Sequence, residues 1–297
     1  MKKIILTLLF LCSFGLYAKD FNATYSEPSS NQYQVTFNID NWNVKDVVLD
    51  NNNYSKIIFN SSTTTERKGW AELPFVSAGV QLPSRKDVTY EVTYSEYTDI
   101  QLENPLVPSR GTIYRNQDPT TIPYEIDPES IIDEFYPKNL ATIDDPFIVR
   151  DVRGTAVRVF PFKYNAVTNT LRVYTTIEVT LTEKEGKATN PLLVENYRPV
   201  REAIGMYESM FINFDKSRYD FVMADYGEIL VICTERDQET VEQYIQWKKE
   251  KGFIVHKEGV ATGTNVKNLI KEKYEENNNI LYVQLIGDWE DIKSDAN

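Results

Sequence analysis

The stretch Glu228-Ile-Leu-Val-Ile-Cys233 is a short, continuous apolar run, and it opens the part of the sequence with the clearest fold signal. Runs of this kind are typical of strands that are covered on both faces, as in a parallel sheet. Phe253–Lys257 and Ile280–Ile286 are two further strand candidates. The order of these runs predicts three parallel strands near the C-terminal end of the 297-residue chain.

The two segments between these runs have helical periodicity. Gly252 is placed to end the first helix, and Thr264 is placed to cap the second. With right-handed crossovers, the pattern is a β-α-β-α-β half of a doubly wound sheet, whose sites gather at the carboxyl ends of the strands. The apolar residues with the spacing of one helical face are Val241, Tyr244 and Ile245 in the first segment and Val266, Leu269, Ile270 and Tyr274 in the second.

This region resembles the start of the catalytic domain of the gingipain family. Members of this family are secreted bacterial cysteine peptidases with a caspase-like α/β fold. The similarity lies in Thr234–Gly252, with its W-K-x-x-x-G phrase, and in Tyr282-Val-Gln-Leu-Ile-Gly-Asp288. The resemblance implies a catalytic His and Cys at the ends of later strands. We therefore expect no catalytic residue within this chain, which ends at Asn297.

The first eighteen residues have the pattern of a secretory signal peptide. Lys2 and Lys3 form a basic start, Ile4–Leu16 is apolar, and a cleavage site is predicted between Ala18 and Lys19. The apolar run is short for a bilayer span, and no later stretch approaches the required ~20 residues, so no retained membrane helix is expected. A secreted, extracellular or periplasmic bacterial protein is predicted.

Charge and cysteine content exclude several classes of protein. The formal net charge of −12 argues against a nucleic-acid partner, because few cations remain to neutralise phosphates. The turn Cys233–Gln238 lacks the glycines of a dinucleotide-binding loop, and no cofactor is predicted. Without the signal peptide, Cys233 is the only cysteine, so the fold cannot depend on a disulfide.

Period-two alternation extends from about Phe21 to Leu181, which predicts an all-β sandwich or barrel-like domain. Leu171–Leu181 is the clearest predicted strand, and the turn-prone Asn165–Asn169 is expected to join it to Ala156–Phe162 in a hairpin. Thr182–Asn190 is a polar linker, and a helix is predicted over Val200–Phe211.

The β-rich block resembles the propeptide domain that precedes gingipain-type catalytic domains, through E-L-P-x-V at Glu72–Val76 and R-V-x-P-F-x-Y-N at Arg158–Asn165. We therefore predict a mixed fold in four segments. They are a signal peptide over 1–18, a β-rich propeptide-like domain over 19–182, a linker and processing region over 183–226, and an incomplete α/β peptidase domain over 227–297.

The resemblance implies two functional positions in the propeptide part. Processing is predicted after Arg218, so that the peptidase would begin at Tyr219, because exposed polar loops are the usual sites of cleavage. Arg110, in Pro105-Leu-Val-Pro-Ser-Arg-Gly111, is the candidate for an inhibitory loop, since a guanidinium can pair in bidentate fashion with a pocket carboxylate. The alternative is that Arg110 is an ordinary surface arginine.

Three further residues can be considered as chemical groups. His256 on the second strand is the only base available to Cys233, although a structural role is the ordinary one for each of them. Asp288, at the tip of a predicted central strand, is a candidate strand-end site that could bind a cation with Glu290 and Asp291, or simply cap a helix or loop. No metal site is otherwise predicted.

Together these patterns predict the N-terminal portion of a secreted gingipain-like cysteine endopeptidase precursor with an inhibitory and chaperoning propeptide. Its expected partners are its own or a cognate catalytic domain, and protein substrates if the full enzyme exists. The alternative is a secreted, non-catalytic β-rich binding or inhibitor protein.

Overall fold

The computed structural model describes residues 21–60, 63–193, 201–218 and 226–293. The predicted signal cleavage at Ala18 and Lys19, and Tyr219 at the predicted processing site, lie outside the described residues. Contacts group the chain into two compact units. Unit one contains the chain up to Gly79, Lys86–Pro146 and Thr155–Thr189, and unit two contains Val80–Arg85, Phe147–Gly154 and the chain from Asn190 onward.

The N-terminal part of the chain is built from strands, as the alternation predicts. The main antiparallel sheet has the order β1-β2-β14-β7, a smaller one has the order β12-β13-β8, and β3 pairs with β4. A further sheet has the order β10-β11-β6-β5, with β9 also paired to β11. The strands are β1 Phe21–Ser29, β2 Gln32–Ile39, β3 Asn43–Leu49, β4 Asn52–Ile58, β5 Thr63–Thr64, β6 Pro74–Gln81, β7 Asp87–Tyr94, β8 Tyr97–Gln101, β9 Ala141–Ile143, β10 Phe147–Val149, β11 Val152–Val159, β12 Phe162–Asn165, β13 Thr170–Tyr174 and β14 Thr176–Lys184.

Alternation in β2 and β14 positions the core of unit one. Val35 and Phe37 of β2 face the same side as Ile177, Val179 and Leu181 of β14, and all five side chains have no exposed surface. The two strands are antiparallel neighbours, with Phe37 opposite Ile177 and Val35 opposite Val179. Apolar cross-strand pairs of this kind stabilise the sheet and fix its register.

The predicted long strand over Leu171–Leu181 is two strands. β13 ends at Tyr174 and β14 begins at Thr176, and the two belong to different sheets. The predicted hairpin is present, but β13 pairs with β12 over Phe162–Asn165, whereas Ala156–Val159 lies in β11 of another sheet. Alternation continues through both strands because each buries its own apolar face, so the sequence pattern contains no sign of the break.

Unit two contains the predicted parallel sheet, in the order β16-β15-β18. All three strands are parallel, and β15, the first in sequence, is central. One face is covered by α2 through Val241 and Ile245, and the other by α3 and its flanking residues. The elements are α1 Arg201–Met210, β15 Glu228–Thr234, α2 Glu242–Glu250, β16 Ile254–Val260, β17 Thr264–Asn265, α3 Lys267–Glu276, β18 Ile280–Ile286 and β19 Ile292–Lys293.

The start of α3 differs from the sequence prediction. Thr264 lies in the short strand β17, and the N-cap is Val266, whose side chain makes no capping hydrogen bond. Instead, the Oδ1 atom of Asn265 accepts a hydrogen bond of 3.0 Å from the amide of Lys267. β17 pairs with β19, and this later segment of chain displaces the start of the helix by two residues.

One surface ion pair in unit one gives a prediction for stability. Arg172 of β13 forms two hydrogen bonds, of 2.7 and 2.8 Å, with the carboxylate of Asp99 on the neighbouring strand β8. These bonds hold the pKa of Asp99 below its ordinary value of 3.8. Because the folded-state pKa is lowered, the stabilisation is present above the pKa of the unfolded chain and is lost as the pH falls through the folded-state pKa.

We expect Asp99→Asn to reduce the free energy of unfolding by about 0.5–1 kcal/mol at pH 7, the range for partly exposed pairs. The difference between variant and wild type should shrink on acidification below about pH 4, where the aspartate becomes protonated in the unfolded chain. Urea unfolding at pH 7 and at pH 3 measures both effects, and Glu96→Gln, an exposed carboxylate in the turn before β8, is the matched control. A loss that is equal at both pH values would contradict the linkage.

Candidate inhibitory loop and processing junction

The segment that leads into the candidate loop is fixed like a strand. The backbone of Pro105 and Val107 bonds to Ser55, with N···O distances of 2.8 and 3.0 Å. On the other side, Ser109 exchanges two backbone hydrogen bonds with the segment Gly69–Trp70. Leu106 and Val107 are buried beneath these bonds. The loop therefore starts from a rigid base, and residues beyond Gly111, which has a φ of +77°, turn out toward solvent.

Arg110 is at the base of this loop, and its side chain is half-buried. Its Nη1 atom donates to the carbonyl of Pro119 and also, at 3.4 Å, to the carbonyl of Ile122. The guanidinium carbon lies 4.5 Å from the ring centre of Tyr124, at cation–π distance. Arg110 thus joins the start of the loop to its end, and these contacts would have to break before the side chain could enter another protein's pocket.

Arg115 is at the tip of the same loop and is exposed. The tip is a tight turn closed from both sides by Gln117, whose amide donates to the carbonyl of Tyr114 at 2.9 Å. The Oε1 atom of Gln117 in turn accepts from the amide of Tyr114 at 2.8 Å. The next residue, Asp118, caps a short 3₁₀ helix over Pro119–Thr121. The sequence analysis did not identify Arg115, although the turn-forming Asn116-Gln-Asp-Pro119 beside it was a usable signal.

The hydrogen bonds of the cap change the pKa of Asp118. The hydroxyl and the amide of Thr120 both donate to the Oδ1 atom of Asp118, at 2.7 and 2.9 Å. These bonds stabilise the ionised carboxylate and lower the pKa of Asp118 from its ordinary value. The far side of the loop is therefore ordered by its own hydrogen bonds, and the tip is held between two fixed ends.

Cys233 and His256 do not form a nucleophile–base pair. In the register of the sheet, Cys233 is opposite Gly259 and His256 is opposite Leu230, three residues away along β15. Burial raises the pKa of the Cys233 thiol, which disfavours the reactive thiolate. The Nε2 atom of His256 instead lies 2.5 Å from the Oε2 atom of Glu228, which also accepts from Asn277.

Asp288 follows β18 at the carboxyl edge of the parallel sheet and is exposed. Its Oδ1 atom accepts from the amides of Glu290 and Asp291, at 2.9 and 3.1 Å, so the side chain caps the turn after the strand. The carboxylate of Asp291 is paired with Arg236. Within the described residues, no group of three or more His, Cys, Asp or Glu side chains is arranged to hold a metal ion.

The predicted processing site follows α1. After this helix the chain reaches a 3₁₀ turn over Lys216–Arg218, and the α/β segment begins with β15 ten residues later, at Glu228. Lys216 and Ser217 are exposed. Among the helices that the structure describes, none is both long enough and apolar enough to cross a membrane.

The described residues thus contain a β-rich part with an exposed arginine in a hydrogen-bonded loop, and a parallel α/β segment that follows it in sequence. Comparison with known proteins identifies the family of the chain. The family model described as "Propeptide_C25" matches residues 21–219, and the chain belongs to this propeptide family. The match ends one residue beyond Arg218.

The relatives of this chain include the gingipains of Porphyromonas gingivalis. Gingipain R1 is 32% identical over 268 residues, which cover 87% of this chain and 27% of that protein. Gingipain R2 of strain W83 is 31% identical over 268 residues, which cover 87% of this chain and 36% of that protein. The chain thus spans about a quarter to a third of the length of these relatives.

A solved structure also resembles it. In the complex of Porphyromonas gingivalis RgpB pro- and mature domains, one chain is 29% identical and superposes with a TM-score of 0.57. The superposition covers 65% of this chain and 98% of that chain. The gingipain resemblance and the β-rich propeptide fold predicted from the sequence are confirmed. The family match does not favour the alternative of a non-catalytic binder.

Proposed function

We propose that this chain is the N-terminal part of a secreted gingipain-like cysteine endopeptidase precursor. Residues 19–182 act in it as an inhibitory and chaperoning propeptide, 183–226 as the linker and processing region, and 227–297 as the start of the peptidase domain. The observation that carries the proposal is the propeptide-family match over 21–219, directly followed by a parallel β-α-β-α-β segment. The partner is the catalytic domain of the same or a cognate precursor.

In this proposal, the inhibitory element is the loop between Gly111 and Ile122. The contacts within the loop support different roles for its two arginines. Arg110 holds the base of the loop closed through the carbonyls of Pro119 and Ile122. Arg115 is presented at the tip, where a guanidinium can pair with a carboxylate in the peptidase pocket. The sequence-based assignment of Arg110 as the inserted residue stays a prediction, and the same experiment tests both arginines.

We expect Arg115→Ala to weaken inhibition of the matching catalytic domain by at least about thirtyfold, which corresponds to about 2 kcal/mol. A buried charged anchor of an interface has an effect of this size. Arg110→Ala should weaken inhibition by less than about tenfold, because it loosens the loop without removing the inserted charge. The measurement is the inhibition constant of the added 297-residue chain, read from cleavage of an arginyl or lysyl reporter.

Lys45→Ala, an exposed cation on β3 in the same unit, is the matched control and should leave the inhibition constant unchanged. A larger effect of Arg110→Ala than of Arg115→Ala would reverse the two roles. The purified chain alone should release no reporter, since the described part of the chain contains no nucleophile–base pair around Cys233. Steady release by the chain would contradict the proposed function.

A further inference from the structure

Leu281 has an unusual position in β18. The register between β15 and β18 pairs Glu228 with Ile280 and then Ile229 with Tyr282, which leaves Leu281 as the extra residue of a β-bulge. Ile280 packs into the cluster beneath α3, and Tyr282 packs against the cluster beneath α2. Leu281 belongs to neither. A bulge re-aims a side chain out of the regular alternation, and here it directs a leucine away from both cores of the α/β segment.

The side chain is instead packed against a separate apolar group, which we call the terminal-helix cluster. Its fully buried members are Val152, Ala203, Tyr207 and Phe211. Two of them come from α1 and one follows it directly, whereas Val152 begins β11. All of these residues precede Arg218 in sequence, and Leu281 follows it. The cluster therefore joins the two sides of the proposed cleavage site within unit two.

The terminal-helix cluster is well formed. The rings of Phe147 and Phe211 are stacked, with centroids 6.0 Å apart, and the hydroxyl of Tyr207 donates to the carboxylate of Asp151. Beyond the helix, Asn213 accepts from the amide of Gln81 at 2.7 Å and donates to its carbonyl at 3.0 Å. A helix held at several points in this way presents a fixed apolar surface to Leu281.

Gly227 gives independent support for the tight packing around Leu281. A β-carbon at this position would lie 2.2 Å from the Cδ1 atom of Leu281, and the glycine has a φ of +88°. The chain entering β15 thus passes directly against one side of Leu281, while the terminal-helix cluster packs against this side chain as well. A side chain cannot occupy position 227 without displacing Leu281.

We propose that Leu281 is an anchor that holds α1, the last helix before the proposed cleavage site, on the peptidase segment after the chain between them has been cut. The proposal rests on the proposed function and on the predicted cleavage after Arg218, which would separate the two parts. Before cleavage the contact is intramolecular. After cleavage it becomes an interface between two polypeptides, held by apolar burial and separate from the loop at Arg115.

The test uses the full chain with a new cleavage site. Residues 219–225 are replaced by a heptapeptide that a sequence-specific protease recognises, and the cut protein is examined by size-exclusion chromatography over a dilution series. We expect the two fragments of the otherwise unchanged chain to co-elute. The fragments of Leu281→Ala and of Leu281→Asp should dissociate at protein concentrations at least tenfold higher than those at which the parent fragments dissociate.

Val283→Ala is the matched control, because Val283 lies two residues further along the same strand and is 41% exposed. It should behave like the parent. Circular dichroism and thermal unfolding of each uncut variant show that the chain is folded, and Leu281→Ala introduces no charge that could itself unfold it. Separation of the parent fragments, or co-elution of both Leu281 variants at parental concentrations, would overturn the anchor.

The result of this test can be interpreted whether or not the proposed function is correct. The engineered cut does not require Arg218 to be the natural site, and the readout does not involve peptidase inhibition. If the natural product begins at a residue other than Tyr219 while the engineered fragments behave as expected, the processing site is wrong and the anchor stands.

Discussion

Phe162→Ala is expected to lower the free energy of unfolding of unit one by about 3–5 kcal/mol. Phe162 has no exposed surface, and its ring makes edge contacts with Trp42 and Phe59 at centroid distances of 5.8 and 5.4 Å. Truncation removes both aromatic contacts and leaves a cavity that a strand held on its neighbour cannot close. Urea unfolding, followed by tryptophan fluorescence, measures the loss.

The control for this change is Val167→Ala in the turn of the same hairpin, where the side chain is 53% exposed. It should change the unfolding free energy by less than about 0.5 kcal/mol. Phe162→Leu retains most of the apolar volume and should fall between the two. A loss below about 1 kcal/mol for Phe162→Ala would mean that the site collapses freely around the smaller side chain.

We expect Phe162→Ala also to weaken the packing at the base of the inhibitory loop. Phe162 begins β12, which pairs with β13, and β13 pairs with β8. After β8 the chain continues through Leu102, whose amide bonds to the carbonyl of Asn169 in the hairpin turn at 3.0 Å. The base of the loop follows within a few residues. A hairpin that loses its core residue therefore loosens the segment that fixes Arg110.

The α/β segment could be predicted well from its sequence. β15 contains the continuous apolar run Ile229–Cys233 because helices cover both faces of the sheet at this strand, and such a run is visible without any knowledge of partners. The predicted strand Ile280–Ile286 has the bounds of β18. The bulge at Leu281 could not be predicted, since it arises from the pairing with β15 and leaves no mark in the sequence of β18.

The β-rich part was predictable in class but less so in detail. Alternation is a local property, whereas the choice of neighbouring strand depends on distant residues, so the break at Thr175 between two sheets was missed. The loop illustrates the same limit. The carbonyls that hold Arg110 lie nine and twelve residues further along the chain, so its contacts could not be read from the local sequence. Only the folded chain distinguishes the arginine at the base from the one at the tip.

The largest effect on proteolytic processing of the precursor is expected from Arg218→Ala. The cleavage predicted between Arg218 and Tyr219 would create the N-terminus of the peptidase part. The basic side chain at this position is the feature that an arginine-selective peptidase recognises, because a carboxylate in its pocket pairs with the guanidinium. A short side chain leaves that carboxylate unpaired, which typically costs several orders of magnitude in the rate of cleavage.

Intact-mass analysis and N-terminal sequencing of the secreted product of the full gene measure the outcome. The wild-type product should begin at Tyr219, and Arg218→Ala should accumulate uncut precursor. Lys216→Ala, two residues upstream on the same exposed 3₁₀ turn, is the matched control and should be cut like the wild type. Because the propeptide-family match ends at residue 219, a product that begins elsewhere would move the junction away from the end of that match.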